Sequence, residues 1–448
     1  MITVTTAKAF LLCSLLCAAV LAAQETGSPE ASGPRRLTLE EARELALQNS
    51  ITLQTRAIDL ELDRISAKSL WAQVFPSISA SGGVGYEFPL KDDVPRTSPS
   101  YTARLRLSLA LNAGLPYTMK NISLAYKSGL LDYEQASRQV LVETSKTFYA
   151  LLARKMNLEV LEGAMKLAGD QLERDRVSRQ NGYIGELDFL SSTFSAEDAR
   201  LKYNRALSEY RIEAGNFLSA LGLSAAEAEG IVLEGTAEIT KLNLDAEALI
   251  RTGLSRRPDI MLRHNEIERL KNARNETALS AKGPSVSLGA SWGASKANGF
   301  DDTVSAEVSV TIPIDPWIPR TKRDQDVRRA AAQYQKALLE LQDLENAARQ
   351  EIRGYADNLR NTWAELEIAR LQAASAERAY ELASQAYRQG TMNFLTFETV
   401  RNRLTAARQE LLQTEFDYKI LVLDLAAALN VEEGELHNFV VNEGTGER

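Results

Sequence analysis

Cysteine is nearly absent from the chain, and the two that occur, Cys13 and Cys17, lie in its first 23 residues. The rest of the chain forms no disulfide, so packing or assembly must hold it together. Histidine is equally rare, with His264 and His437 alone. Their spacing suits neither a metal site nor a catalytic triad, and no glycine-rich phosphate loop opens a helix. The sequence therefore predicts no enzyme, no metal site and no cofactor.

Long hydrophobic runs are also scarce, and the one that occurs covers residues 9–23 after Lys8. It is shorter than the roughly 20 residues of a spanning helix, so we expect residues 1–23 to be a signal peptide and 24–36 a linker. No later run approaches that length, which leaves an exported protein that is either soluble or a β-barrel. The net charge of −8, without a basic cluster, predicts no nucleic-acid partner.

Proline is missing between Pro116 and Pro258 and again after Pro319. These tracts are rich in alanine, leucine, glutamate and arginine, which favour helix, and we expect one helix over about 117–180. Its length would be on the order of 95 Å. Apolar spacings of three and four predict coiled-coil packing. One predicted seam includes Phe148, Leu151, Leu158, Met165 and Leu172. A second includes Leu190, Phe194, Leu201, Leu207 and Phe217.

The chain repeats itself with an offset of about 208 residues. RQNGYIGELDFL at 179–190 resembles YRQGTMNFLTFE at 387–398, and LTLEEARELALQNS at 37–50 resembles LNLDAEALIRTGLSRRPD at 242–259. Thr38 and Asn243 are the expected N-caps of the opening helices. We therefore predict a first structural repeat over 37–241, a second of the same order over 242–435, and a tail over 436–448.

Four segments alternate strictly between apolar and polar residues, as in YTARLRLSLAL at 101–111. One alternative is a half-buried sheet packed on helices; the other is a membrane barrel, favoured by segments of about 9 to 12 residues. In a barrel, leucine and valine side chains would face lipid and charged side chains would face the lumen. The charged side chains would either form rings or simply be solvated. The lipid-facing set is Leu105, Leu107, Leu109, Val308, Val310 and Ile312, and the lumen-facing set is Arg104, Arg106 and Glu307. Four strands cannot close a barrel, so several subunits must share it.

The paired openings, the strand pairs after Pro76 and Pro284, and the two glycine turns resemble the TolC-like outer-membrane efflux protein family over about residues 37–435. The resemblance implies a mainly α fold with a small β membrane part. It implies a homotrimer with a 12-stranded barrel in outer-membrane lipid and an α-helical tunnel in the periplasm. It also implies a periplasmic adaptor and an inner-membrane transporter as partners, in efflux or type I secretion. The alternative is a soluble periplasmic coiled-coil scaffold or adaptor.

The resemblance further implies that the two glycine turns, at Gly182 and Gly390, form the periplasmic tip and gate. Asp188 and Tyr387 match an acid and a tyrosine that hydrogen-bond across the tip helices, although Asp188 also suits a helix cap. Some members carry a ring of aspartates and a basic residue nearby. The matching positions here are Thr396, Thr399 and Met392. We therefore predict a tip held mainly by packing and by the Asp188–Tyr387 pair, without a cation-binding ring.

Overall fold

The computed structural model describes residues 36–86, 99–224, 231–236, 239–296 and 300–439. The predicted signal peptide, residues 24–35 of the predicted linker and residues 440–448 of the predicted tail lie outside these ranges. The helices that build the described chain are α1 (Leu39–Asn49), α2 (Ile51–Lys68), α3 (Leu115–Gln180), α4 (Glu186–Ala220), α5 (Ala246–Arg256), α6 (Pro258–Lys282), α7 (Lys322–Arg388) and α8 (Phe394–Leu429).

Two helices dominate the molecule. α3 has 66 residues and α7 has 67, so each is about 100 Å long at 1.5 Å per residue. The helix predicted over 117–180 is confirmed, because no proline interrupts that tract. Each long helix turns back into a shorter one, α4 or α8, to form a helical hairpin. No described helix is long and apolar enough to cross a membrane.

Local sequence sets where the opening helices begin. Thr38 accepts a hydrogen bond from the Glu41 amide, and the Glu41 carboxylate accepts one from the Thr38 amide. This capping box confirms Thr38 as the predicted N-cap. The prediction for Asn243 is wrong, because Asp245 holds the N-cap position of α5 and accepts from the Glu247 amide at 3.0 Å.

The strands are β1 (Arg36–Leu37), β2 (Ser77–Gly85), β3 (Ser100–Asn112), β4 (Val232–Leu233), β5 (Ser285–Lys296) and β6 (Phe300–Thr311). β1 and β4 form a short parallel pair. The other four form an antiparallel sheet in the order β2-β3-β5-β6, which leaves β2 and β6 at its open edges. The two hairpins of this sheet therefore belong to different halves of the chain and meet through β3 and β5.

The ends of the fourth strand differ from the prediction. β6 ends at Thr311, so Ile312 lies one residue beyond the sheet rather than in it. The reason is Pro313, which has no amide hydrogen to donate to a ladder. At the other end, β5 ends at Lys296 and β6 begins at Phe300, and residues 297–299 between them lie outside the described chain.

Two apolar cores hold the helices together at the level where the two halves meet. The second-half core includes Leu249, Ile352, Leu425 and Leu436, all fully buried. The first-half core joins residues of β1, β4, α1, α3 and α4. Tyr149, Leu152, Leu412, Phe416 and Leu423 connect α3 with α8. The packing therefore ties the halves into one body.

The two halves follow the same element order: short helices, two strands, a long helix, a glycine turn and a shorter helix. Their predicted boundaries at 241/242 and 435/436 stay a prediction. Leu436, placed in the predicted tail, is fully buried within the second-half core, as part of the 3-10 helix Glu433–Phe439.

Truncation of Ile352 to alanine should destabilise the fold, because this side chain is fully buried on α7. We expect a loss of about 2–5 kcal/mol, from lost burial and the cavity left behind. Ile368→Ala on the same helix is the matched control, since Ile368 is 56% exposed. Thermal unfolding of the detergent-purified protein measures both, and equal losses would contradict this placement of the core.

Candidate functional site

One face of the four-stranded sheet is apolar and uncovered. Residues that pair across antiparallel strands share a face, and Leu107 lies opposite Ile78 and Ala290. Leu105, Leu107, Val308 and Val310 are between 39% and 72% exposed, while Leu109 is half-buried. Helices do not cover these side chains, so the alternative of a sheet packed on its own helices is wrong.

The opposite face is polar and consists mainly of serine, threonine and glycine. Serine hydroxyls are hydrogen-bonded across neighbouring strands, as between Ser287 and Ser309 at 2.6 Å. Arg104, Arg106 and Glu307 share this face, because they pair with serine or glycine on the neighbouring strands. Within the described chain none of the three forms an ion pair. Their arrangement as rings of charge remains a prediction.

The two glycine turns lie at the far ends of the helical hairpins. Gly182 and Gly390 have φ of 73° and 72°, the left-handed region in which glycine costs least. The amide of Tyr183 donates to the Ser178 carbonyl at 2.8 Å, and the amide of Thr391 donates to the Ala386 carbonyl at 3.0 Å. Both bonds close the last turn of the long helix before the chain reverses.

Tyr387 joins the two hairpins just inside the turns. Its hydroxyl donates to Asp175 Oδ1 on α3 at 3.1 Å. Its ring stacks on Phe397 with centroids 4.9 Å apart and an interplanar angle of 12°. Burial raises the pKa of Tyr387, and the neighbouring Asp175 carboxylate raises it further. The phenol therefore keeps its proton and remains a hydrogen-bond donor at neutral pH.

The predicted Asp188–Tyr387 hydrogen bond is therefore wrong, since Asp175 accepts the bond. Asp188 lies in the first turn of α4, whose N-cap is Gly185, so Asp188 is not the cap either. Its negative charge still contributes to the raised pKa of Tyr387. The tyrosine hydroxyl faces the end of α3 rather than the start of α4. The offset between the two sequence repeats does not predict this direction.

The other predicted tip residues lie on or beside the second turn. Met392 is half-buried, and Thr396 and Thr399 are exposed on one face of α8. The Thr396 amide donates to Asn393 Oδ1 at 2.9 Å, and the Thr399 hydroxyl donates to the Leu395 carbonyl at 2.9 Å. These contacts support the helix start. The lack of a cation-binding ring stays a prediction.

A buried polar cluster behind the tip was missed at the sequence level. Gln171 Nε2 donates to Asp175 Oδ1 at 2.7 Å, and the Arg401 guanidinium donates to the Ser195 hydroxyl and to Glu398 Oε1, the latter at 3.2 Å. Burial lowers the pKa of Arg401, and the charge of Glu398 opposes that effect. Together with the tyrosine bond, these contacts involve all four hairpin helices, so they can hold the helices in one register.

The sequence contained a signal for this cluster. Gln171 and Asp175 are 5% and 2% exposed, whereas the seam residue Leu172 is only half-buried. Gln171 and Asp175 continue the three- and four-residue spacing of the buried Ala168, so polar residues at seam positions were the signal for a buried polar cluster. On α4 the predicted seam is confirmed at Phe217, which is buried in the first-half core, but it is wrong as an internal contact over the first half of the helix. There, Leu190, Phe194 and Leu201 are 55%, 74% and 57% exposed, and serines are buried instead.

These features define a class of protein: a subunit of a membrane channel-tunnel, with a lipid-facing sheet at one end of helices about 100 Å long and two glycine turns at the other. The sequence matches the Outer membrane efflux protein family over residues 42–223 and 249–431, and the chain belongs to that family. It is the outer-membrane channel component of an efflux system, with its sheet in the outer membrane and its helices in the periplasm. The alternative of a soluble scaffold is therefore wrong.

Individual relatives agree with this assignment. The antibiotic efflux pump outer membrane protein ArpC of Pseudomonas putida is 26% identical over 412 residues, which cover 84% of this chain and 79% of ArpC. The toluene efflux pump outer membrane protein TtgC, also of Pseudomonas putida, matches to the same extent. The CmeC outer membrane channel of Campylobacter jejuni has the same fold, with a TM-score of 0.75 and 19% identity over 87% of this chain and 85% of CmeC.

Replacing Leu107 with arginine should reduce assembly in the outer membrane, because a cation on the lipid face costs about 2–4 kcal/mol near the bilayer midplane. Ser108→Arg is the matched control, since Ser108 is the next residue and lies on the polar face. Fractionation of cell envelopes, with heat-modifiability as the readout of folded protein, measures both. Equal loss in the two variants would contradict the assignment of the faces.

Tyr387→Phe should loosen the tip and raise single-channel conductance in planar bilayers. The variant keeps the ring stacking but removes the donor to buried Asp175, a loss of about 1–3 kcal/mol. Asp175→Leu, which removes the acceptor at nearly the same volume, should raise conductance as well, and the double variant should add little because both changes break one bond.

Asp188→Leu is the control for this pair, since Asp188 makes no hydrogen bond to the tyrosine. A conductance increase for Asp188→Leu alone, with none for Asp175→Leu, would identify Asp188 as the acceptor, as the sequence predicted.

Proposed function

We propose that three copies of this chain close a 12-stranded barrel and continue it as a helical tunnel across the periplasm. The observation that carries the proposal is the open sheet, whose edge strands β2 and β6 leave backbone groups unpaired beside an apolar face. Such groups must be paired within hydrocarbon. A single four-stranded sheet cannot close on itself, and three sheets supply a closed barrel large enough for a lumen.

The exposed stripe on α4 supports the same assembly. Leu190, Phe194 and Leu201 are more than half exposed in the single chain, and they follow seven-residue and four-residue steps along one helix face. Three chains around a common axis would bury this stripe between neighbouring hairpins. The tunnel wall would then be continuous from the sheet to the tip.

The tip is the proposed contact for a periplasmic adaptor, through which an inner-membrane transporter would deliver cargo. Tyr183, Leu187 and Leu395 are 82%, 76% and 72% exposed at the two turns. Leu187 and Leu395 are equivalent positions of the internal repeat. An adaptor that contacts one turn could therefore contact the other in the same way, with six such turns around a trimer.

Small organic molecules are the proposed cargo, in efflux rather than protein secretion. The relatives ArpC and TtgC are named as antibiotic and toluene efflux components. The polar sheet face, with its serines and arginines, would present a wetted lumen through which such molecules diffuse passively.

Cysteine cross-linking tests the trimer, since the described chain contains no cysteine of its own. Ser79→Cys in β2 is combined in turn with a cysteine at Thr303, Ser305, Glu307 or Ser309 of β6. Adjacent strands bring paired Cα atoms to about 5 Å, close enough for a disulfide. We expect one combination or two adjacent ones to give covalent dimers and trimers after oxidation.

Ser79→Cys combined with Ser291→Cys is the matched control, because β3 separates these positions within a chain. Monomers for every edge combination, in protein extracted from the outer membrane, would count against the shared barrel.

A further inference from the structure

The helix-side end of the membrane sheet carries large apolar side chains that the described chain leaves uncovered. The 3-10 helix Leu70–Val74 leads into β2, and the 3-10 helix Asp315–Trp317 follows β6. Trp71, Phe75, Trp317 and Ile318, which we call the collar, are 59%, 54%, 68% and 54% exposed. Two of the four are tryptophan, a residue enriched where membrane meets water.

The collar is continuous with the lipid-facing sheet. Asn112, Ser285 and Thr311 pair at the helix-side end of β3, β5 and β6, so these strands finish at one level. The two 3-10 helices adjoin that level at the two edge strands. The collar therefore lies at the border between the membrane sheet and the periplasmic helices, at the depth of phospholipid headgroups.

Three positive side chains lie close to Trp317, one in space and two in the sequence that follows it. Lys282 Nζ, at the end of α6, lies 5.2 Å from the Trp317 ring centroid. Arg320 and Lys322 follow within five residues of Trp317, and all three cations are exposed. None forms an ion pair with another part of the chain that the structure describes. By contrast, the neighbouring Arg323 pairs with Asp315 at 3.1 Å.

The backbone at Arg320 adds an independent observation. Its φ is 69°, and the only other non-glycine with positive φ among the described residues is the helix-capping Asn430. A left-handed conformation favours glycine or asparagine. The Arg320 amide donates to Asp324 Oδ2 at 3.1 Å and its carbonyl accepts from Gln325 Nε2 at 3.2 Å, so the backbone is held in this conformation while the side chain stays exposed and without an ion pair.

We propose that Lys282, Arg320 and Lys322, together with Trp317, bind the anionic headgroups of phospholipids in the periplasmic leaflet of the outer membrane. An amphipathic anion fits, because the apolar collar would accept the upper acyl chain and the cations its phosphate. Arginine and lysine both bind phosphate, and cations near an anionic membrane surface add to its affinity. Such binding would fix the depth and rotation of each barrel wall relative to the membrane.

Lipid titration of the full-length mature protein in a neutral detergent tests this proposal. Phosphatidylglycerol or phosphatidylethanolamine with identical acyl chains is added, and thermal unfolding together with native mass spectrometry reports binding. We expect tighter binding of phosphatidylglycerol. The triple variant Lys282→Gln, Arg320→Gln, Lys322→Gln should bind phosphatidylglycerol on the order of tenfold more weakly and phosphatidylethanolamine unchanged.

A matched control removes three exposed arginines from the helical part, with Arg205→Gln, Arg251→Gln and Arg403→Gln. It should keep the preference for phosphatidylglycerol. Trp317→Ala should weaken both lipids, because it removes the apolar contact. If the triple variant folds poorly, Arg320→Gly replaces it. Because glycine adopts a positive φ without strain, this variant should keep or raise the unfolding temperature measured without lipid. It should still bind phosphatidylglycerol more weakly.

Three results would overturn the proposal. The first is a triple variant that binds phosphatidylglycerol as tightly as the unchanged protein, and the second is a control variant that loses as much affinity as the triple variant. The third is a triple variant that no longer co-purifies with the adaptor while its lipid binding is unchanged, which would assign the surface to a protein. Edge-strand cross-linking is measured in the same variants. Trimers that form without lipid preference would refute the headgroup site alone and leave the shared barrel intact.

Discussion

The unpaired main-chain groups along the outer edges of β2 and β6 constrain the rest of the architecture. In hydrocarbon such groups cannot be left without partners, and the apolar face beside them requires a hydrophobic surrounding. The chain by itself satisfies neither requirement. The proposed assembly around a common axis would satisfy both, and it would place the long helices side by side as a tunnel wall. In that assembly the membrane part would set the arrangement of a much larger helical part.

The helices at the tip are held together by a different kind of contact. They meet through a buried tyrosine, carboxylate, glutamine and arginine rather than through leucine alone. Buried polar groups are costly unless they find their partners, and the pairs around Asp175 and Arg401 form in one relative placement of the hairpins. Such a junction is specific without being strongly cohesive. That combination suits the gate which the family resemblance implies, since a gate must close in one register and still open.

The exposed apolar surfaces of the single chain divide into separate environments. The sheet face meets lipid tails, the proposed collar meets headgroups, and the α4 stripe and the tip turns are the proposed contacts with protein. Each surface lies at a different position along helices about 100 Å long, so one elongated subunit can contact a membrane and several partners at the same time. The collar is the only one of these surfaces at which unpaired cations flank tryptophan within the described chain.

The amino-acid sequence by itself determined the long helices, the alternating strands and the glycine turns, and it predicted that several subunits share the barrel. These features depend on local periodicity and on counting, because 3.6-residue and two-residue repeats need no tertiary information. Tertiary structure decided the rest: that Asp175 rather than Asp188 accepts from Tyr387, and that Leu190, Phe194 and Leu201 of α4 lie outside the chain's own core. The physical reason is that a hydrogen bond depends on the rotation of each helix to within a fraction of a turn, whereas seam spacing constrains that rotation only to a broad face.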